Sequence, residues 1–564
     1  MTTHSMDGEN AMGDHEMLNG NHTEHMAAID LVDPADASHV AVASGDWFDP
    51  AIWADGVVPS DGAKVYIPHG IDVHYSGESD ASLFTVGVAG SLTFDPEADS
   101  KMVVDTMVVV PSGRLEIGTA DQPVTGKVDL VIANNGEIDV TWDPQLLSRG
   151  VVSLGEVSIH GSEIDSHVKV STDPMAGDMS VTLAELPAGW KIGDTIVIAG
   201  TENGGHTDTR YDDLHRGHTG ETRQIVDIQG NTVFFDTPLE YDHDTPRDYL
   251  KTSVANYSRT VTIASEDGAA SETYERGHVM FMGSDEVDIR FAAFEELGRT
   301  DKSERSTPAL ETEDIAFDSN VQGRYSLHLH QLGVGDPDNP IMIEGNAIVG
   351  SPGWGIAQHS SNANLHNNAT LDIWGASYVS EAGDEIGTWT DNISIGNVGT
   401  ENIERLHSDV AAGDIARTGN GFWMQSRMIE TVDNIAVAAR TGFVWIAQGS
   451  TEEHDISVID QPESLGYGET ASNKELPIAL ALNNEVFGSE QGLTVTKGWP
   501  NQGHDVRSMI DGFDAWNVRA GAKAQYTSHY TFKNMEFIAV DGSDPQAQPE
   551  WGFFFGNNVS DMVI

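Results

Sequence analysis

Chemistry concentrates in the octapeptide Gly323-Arg-Tyr-Ser-Leu-His-Leu-His. Side chains alternate along a strand, so Leu327 and Leu329 share one face while His328 and His330 share the other. Imidazoles at i and i+2 stand about 6.5–7 Å apart at the backbone, close enough to offer two nitrogens to one metal or one substrate. His359 follows, and then Glu381, Asp384 and Glu385. His328, His330, His359 and Glu381 together make a shell for zinc or another first-row metal. The same region also offers acid and base groups beside Arg324, with Glu381 and Glu385 as carboxyl candidates.

Groups so far apart in sequence meet only if the chain coils. An internal repeat predicts that it does. Asn346-Ala-Ile recurs as Asn368-Ala-Thr after 22 residues, as Asn392-Ile-Ser after 24, and as Asn434-Ile-Ala after 42, twice 21. Gly421-Phe-Trp recurs as Gly442-Phe-Val-Trp, and Trp354-Gly-Ile-Ala as Trp374-Gly-Ala-Ser, at 21 and 20 residues. Short strands at this period predict the stacked coils of a right-handed parallel β-helix, with the asparagines bonded in a ladder. Coils stack about 4.8 Å apart, so three of them could bring the cluster onto one face. The step from His330 to His359 exceeds the repeat, which predicts a bulging loop between them.

Composition narrows the classes. Asp plus Glu is 89 against 29 Lys plus Arg, a formal charge of −60. Such a surface repels nucleic acid and anionic membranes, and suits saline media or calcium-supported folding. There is no cysteine, which excludes disulfides, thiol nucleophiles and zinc–thiolate sites. No apolar run is long enough for a transmembrane helix. No motif implies an organic cofactor, and nothing in the residues sets an oligomeric state. The first 30 residues lack an apolar signal core, so an export signal is expected elsewhere in something longer.

Four regions are expected. Residues 1–36 are acidic, poor in β-branched residues and rich in His and Met, and read as a disordered tail with residues that can ligate copper. Residues 37–150 carry short alternating strands such as Val65-Tyr-Ile and Leu92-Thr-Phe. Residues 151–255 form a β-rich connection holding a long polar loop at 201–221, and residues 256–564 form the β-helix.

Trp47-Phe-Asp-Pro-Ala-Ile-Trp, Gly56, Pro59, Gly62, Val65-Tyr-Ile-Pro and Gly70, continued by Gly90, Gly113 and Gly118, resemble the start of the G8 domain. Val254-Ala-Asn-Tyr-Ser-Arg-Thr-Val, Arg276-Gly-His-Val-Met-Phe-Met, Val287-Asp-Ile-Arg-Phe-Ala-Ala-Phe-Glu-Glu-Leu-Gly and the His-x-His block follow in order. Together they resemble the family of the cell-migration-inducing hyaluronan-binding protein and the cell-surface hyaluronidase. The resemblance spans roughly residues 41–450 and implies a G8 β-domain stacked on a parallel β-helix. It also implies extracellular hyaluronan binding or breakdown, with calcium dependence. It carries directly to Arg324, His328 and His330, to His359 and Glu381 by block order, and to His278 through Arg-Gly-His. Ser326, Leu327 and Leu329 depart from the Pro and Phe of the family's motif, and the family's disulfides are absent.

The leading expectation is therefore a secreted bacterial polysaccharide depolymerase. A long glycan would lie along the helix face, with Arg299, Tyr325, Trp354 and Trp374 as substrate contacts. Hydrolysis needs the carboxyl pair, whereas β-elimination from a uronate needs a histidine base and Arg324 or a metal as neutraliser. The other classes are a non-catalytic carbohydrate-binding or adhesion module, and a structural metal that pins adjacent coils.

Overall fold

The computed structural model describes residues 23–202, 219–312, 314–397, 399, 414–446, 455–457, 470–472, 476–496, 506–541 and 548–564. Short strands repeat in threes, and each pairs in parallel with its counterpart one coil away, so the chain is a parallel β-helix. On the first face, Lys64–Ile67, Glu78–Val88, Ser100–Val109 and Gly150–Ser153 succeed one another. The column continues through His278–Met282, Leu327–Gly333, Ile356–His366, Ala376–Ser380 and Asn420–Met424. It ends at Trp551–Phe555. The regions expected to part at residue 150 thus share one unbroken column, and the G8-like segment forms its first coils.

Alternation builds the core. Val65, Val86, Met107, Val151, Val279, Leu327, Ile356, Tyr378 and Phe422 occupy equivalent inward positions and are all buried in one cluster. Burying each such side chain contributes about 1.5–3 kcal/mol. Rings at successive levels stack flat, with Tyr378 and Phe422 centroids 4.6 Å apart and Phe422 and Phe443 4.5 Å apart.

The asparagine ladder forms at the turn between the second and third faces. Nδ2 of Asn346 donates to Oδ1 of Asn368 at 3.0 Å, Asn368 to Asn392 at 2.9 Å, and Asn392 to Asn434 at 2.9 Å. Asn434 extends it to Asn484 at 3.1 Å. Each Oδ1 also accepts the backbone N–H of the preceding asparagine.

Between the second and third faces of one coil the chain leaves the solenoid. It builds a six-stranded antiparallel sheet from His167–Lys169, Ser180–Thr182, Thr195–Ile198, Glu221–Gln229, Thr232–Phe235 and Ser253–Asn256. Val197, Ala199, Leu250 and Tyr257 of this insertion cover Ala293, Ala347, Ala369, Ile393 and Trp516 on the third face. The region expected as a connection is thus a sheet lying across the coils, while its first strands, Gly150–Ser153 and Glu156–His160, belong to the helix itself. Most of the expected polar loop, residues 203–218, lies outside the described residues.

Residues 23–30 form an α-helix, which corrects the disordered tail for that segment. Ala28, Leu31 and Val32 bury against Val108, Val152, Met280 and Met282 on the outer side of the first face. Residue 33 precedes a proline, a poor setting for further helix, and its carboxylate caps the following 3-10 turn by accepting from Ala35 N–H at 2.8 Å. Residues 1–22, with His4, His15 and His22, lie outside the described residues. Among the described residues no helix is long and apolar enough to cross a membrane.

Candidate metal centre

Parallel register assembles the histidines. His330 pairs with His359 across adjacent strands, and Gln358 with Ser380, so Glu381 arrives one coil beyond His359. The surplus residues between His330 and His359 lie mainly in the turn after Gly333, which bulges as expected and leaves His359 in register. Leu327 and Leu329 point into the core as alternation requires. One nitrogen from each of His328, His330 and His359 lies within 4.8 Å of the others. Glu381 Oε2 stands 3.6 Å from His328 Nε2 and 3.5 Å from His359 Nδ1.

Proton bookkeeping makes this cluster unusual. His328 Nδ1 lies 2.9 Å from the Gly323 carbonyl, which only accepts, so that nitrogen carries the proton and Nε2 turns a lone pair toward Glu381. His330 Nε2 lies 3.1 Å from Glu24 Oε2. His328 Nε2, His330 Nδ1, His359 Nδ1 and Glu381 Oε2 are all buried without a hydrogen-bond partner. Buried polar atoms without partners are costly, and four that converge need a cation or protons between them. Bonds of about 2.0–2.2 Å to one zinc-like ion place neighbouring donors about 3.3–3.6 Å apart, which matches both Glu381 separations. The donor set fits a first-row divalent metal. It does not suit calcium, which prefers six to eight oxygens.

Burial pushes the Glu381 carboxyl up, but His359, His328 and Lys302 outweigh it and hold it at about 2. Burial lowers His359 despite Glu381, favouring the neutral imidazole. Glu24 is held below the ordinary carboxylate range, its burial offset by His330 and Arg324.

The remaining expected site residues separate. Arg324 is 1% exposed and donates to the carbonyls of Leu146, Gln145 and Gln322, so it braces the 145–149 segment. Arg299 is 4% exposed and donates to the Leu146 and Ser148 carbonyls. Burial, then Arg149 and Arg324, lower Arg299 to about 9. Tyr325 and Trp354 are fully buried and stacked at 4.3 Å, with Lys302 Nζ 4.2 Å over the indole. Arg299, Tyr325 and Trp354 therefore do not form a glycan platform, because the strand's outer side is covered by folded loops. Trp374 alone of the four is half-exposed. Trp389, on the strand Ile386–Thr390, is in the core and its indole N–H donates to Gln358 at 2.8 Å.

Glu385 is buried and receives the amides of Ala382, Gly383 and Ser360. Burial and neighbouring Asp384 nevertheless raise it. His278 is fully buried, with Nδ1 3.1 Å from the Arg149 carbonyl, and burial with Arg299 and Arg324 depresses it strongly. Sequence reasoning missed Glu24, hidden in a segment read as a tail. It also missed the buried pair of Lys302 and Asp414 at 2.9 Å, whose partners lie 112 residues apart with no periodic signal.

Residues 52–171 match the G8 domain. A G8 domain-containing protein of Dictyostelium discoideum is 24% identical over 423 residues, covering 72% of this chain and 27% of its own length. Communication mutant protein F of the same organism is 23% identical, covering 69% of this chain and 32% of its own. Fibrocystin-L of Mus musculus is 24% identical over 545 residues, covering 88% of this chain and 12% of its own. The chain thus spans a third or less of these curated relatives. Among solved structures, the tailspike protein gp49 from Pseudomonas phage LKA1 is 10% identical at a TM-score of 0.19, covering 83% of this chain and 72% of its own. XylC in complex with xylose is 7% identical at a TM-score of 0.22, covering 80% and 65%.

Proposed function

We propose that this chain is an extracellular polysaccharide-processing protein whose β-helix holds a first-row divalent metal at His328, His330, His359 and Glu381. The convergence of four buried, unpartnered donor atoms carries the metal assignment. The polysaccharide assignment draws on the resemblance to the hyaluronidase family, with hyaluronan or another uronate-containing glycan as substrate. Bound there, the metal would supply Lewis-acid polarisation of a substrate oxygen.

The resemblance favours hydrolysis; with Arg324 committed to backbone carbonyls, elimination would need the metal as neutraliser of a uronate.

One observation favours a second reading, in which the metal only pins coils. His328 is 1% exposed, and four protein donors complete a tetrahedral shell. The test is metal analysis of the purified protein, followed by digestion of acidic and neutral glycans with and without chelator. We expect about one zinc-like ion per chain, lost in the His328→Ala/His330→Ala variant, and glycan cleavage that chelator abolishes. Metal without cleavage of any glycan would leave only the pin, and absence of stoichiometric metal would remove both readings.

A further inference from the structure

We infer that Glu24 is the positioning residue that sets His330 for metal binding, so that docking of the 23–30 helix and loading of the metal reinforce each other. This rests on the metal centre proposed above.

A neutral imidazole carries one proton on either of two nitrogens, and only the bare nitrogen can ligate. For His328 the Gly323 carbonyl takes the Nδ1 proton and frees Nε2. For His330 the arrangement is reversed. Glu24 Oε2 lies 3.1 Å from Nε2, and the carboxylate accepts only, so Nε2 keeps the proton and Nδ1 is bare. That Nδ1 is one of the four buried, unpartnered atoms. Without Glu24, the His330 proton could move to Nδ1 and occupy the place of the ion.

The carboxylate is itself held. Arg324 Nη1 lies 3.4 Å from Glu24 Oε1, and the same guanidinium is fixed by the Leu146, Gln145 and Gln322 carbonyls. Helical spacing explains the delivery. Glu24 and Ala28 lie at i and i+4 on one helix face, and Leu31 follows directly after the helix. Ala28 and Leu31 pack with Met280 and Met282. Those methionines pair in register with His328 and His330 of the next coil. The contact that buries the helix therefore carries its first turn onto the metal centre. Acceptors behind ligating histidines typically change metal affinity by about 10–100-fold when removed. Linkage makes the coupling reciprocal, so the metal must tighten the helix by the factor that the helix tightens the metal.

The experiment uses the full chain and zinc, with affinity read by chelator competition for the wild type, Glu24→Ala and Glu24→Gln. We expect Glu24→Ala to bind zinc about 10–100-fold more weakly. Glu24→Gln, which keeps an acceptor of the same length, should recover part of that loss. With cobalt in place of zinc, the visible bands should change in Glu24→Ala and stay closer to wild type in Glu24→Gln. Zinc should slow amide exchange over residues 24–32 in the wild type and not in His330→Ala. Wild-type zinc affinity in Glu24→Ala, with unchanged exchange on zinc addition, would overturn the inference and leave the metal centre standing. Failure of the wild type to bind zinc or cobalt would overturn both.

Discussion

The asparagine ladder and the histidine cluster are built by the same operation, one polar side chain per coil stacked on the next, and they keep opposite hydrogen-bond accounts. From Asn346 to Asn434 each side-chain amide donates to the next asparagine, and from Asn368 to Asn484 each accepts from the one before. Across His328, His330, His359 and Glu381 the same stacking brings acceptor against acceptor and leaves four atoms without partners. An amide carries both donor and acceptor and closes on itself. A neutral imidazole whose proton is already committed, facing a carboxylate, cannot. Stacking alone therefore makes a scaffold, and stacking with the donors removed makes a binding site.

Breaking the ladder should have the largest effect. Asn392→Ala removes the acceptor for two donors of Asn368 and the donor to the Leu365 carbonyl. At about 1–3 kcal/mol for each of these three buried groups, the loss should be about 3–9 kcal/mol, equal with and without metal, read from denaturant melts. A loss below about 1 kcal/mol would show that the ladder is dispensable.

Acid should come next. Folded His278 is depressed below its unfolded value, so the unfolded chain binds the extra proton. Stability should then fall as pH drops below about 6.5, by up to about 1.4 kcal/mol per pH unit for this group. Thermal melts of metal-free wild type and His278→Gln across pH 7 to 5 check it. Parallel curves would remove His278 as the cause.

The smallest effect sharpens the contrast most. Without metal, His359→Met should lie within about 1 kcal/mol of wild type or above it, because the substitution removes an unpaired acceptor. With zinc the order should reverse. A large metal-free loss would mean that the cluster is satisfied by its own protons.

What could be read in the sequence follows the same division. Asn346, Asn368 and Asn392 were legible because their spacing stays near the repeat; Asn434, read as two coils away at 42 residues, bonds Asn392 directly, so that interval is one enlarged coil. Asn484 was not, because 50 residues separate it from Asn434. His328 and His330 were legible from alternation, and His359 from coil counting despite the bulge. Arg299, Arg324, Tyr325 and Trp354 were misplaced because alternation tells inward from outward but not outward from exposed. Here the outward side is roofed by loops and by the 23–30 helix. Glu24 left only a short stripe of helical spacing in an acidic segment, too little to oppose a reading of disorder.

The inserted sheet has a mechanical consequence. A solenoid is held only by contacts between neighbours, so it can fray from either end one rung at a time. Here Ser166 bonds Asn367, Tyr257 reaches the Thr370 carbonyl, Lys169 pairs with Glu485, and Asn517 reaches the Thr201 carbonyl. One folded body thus grips rungs well over a hundred residues apart, like a splint along a spine. Loosening any rung beneath it means lifting the splint, and the central coils should open together or not at all.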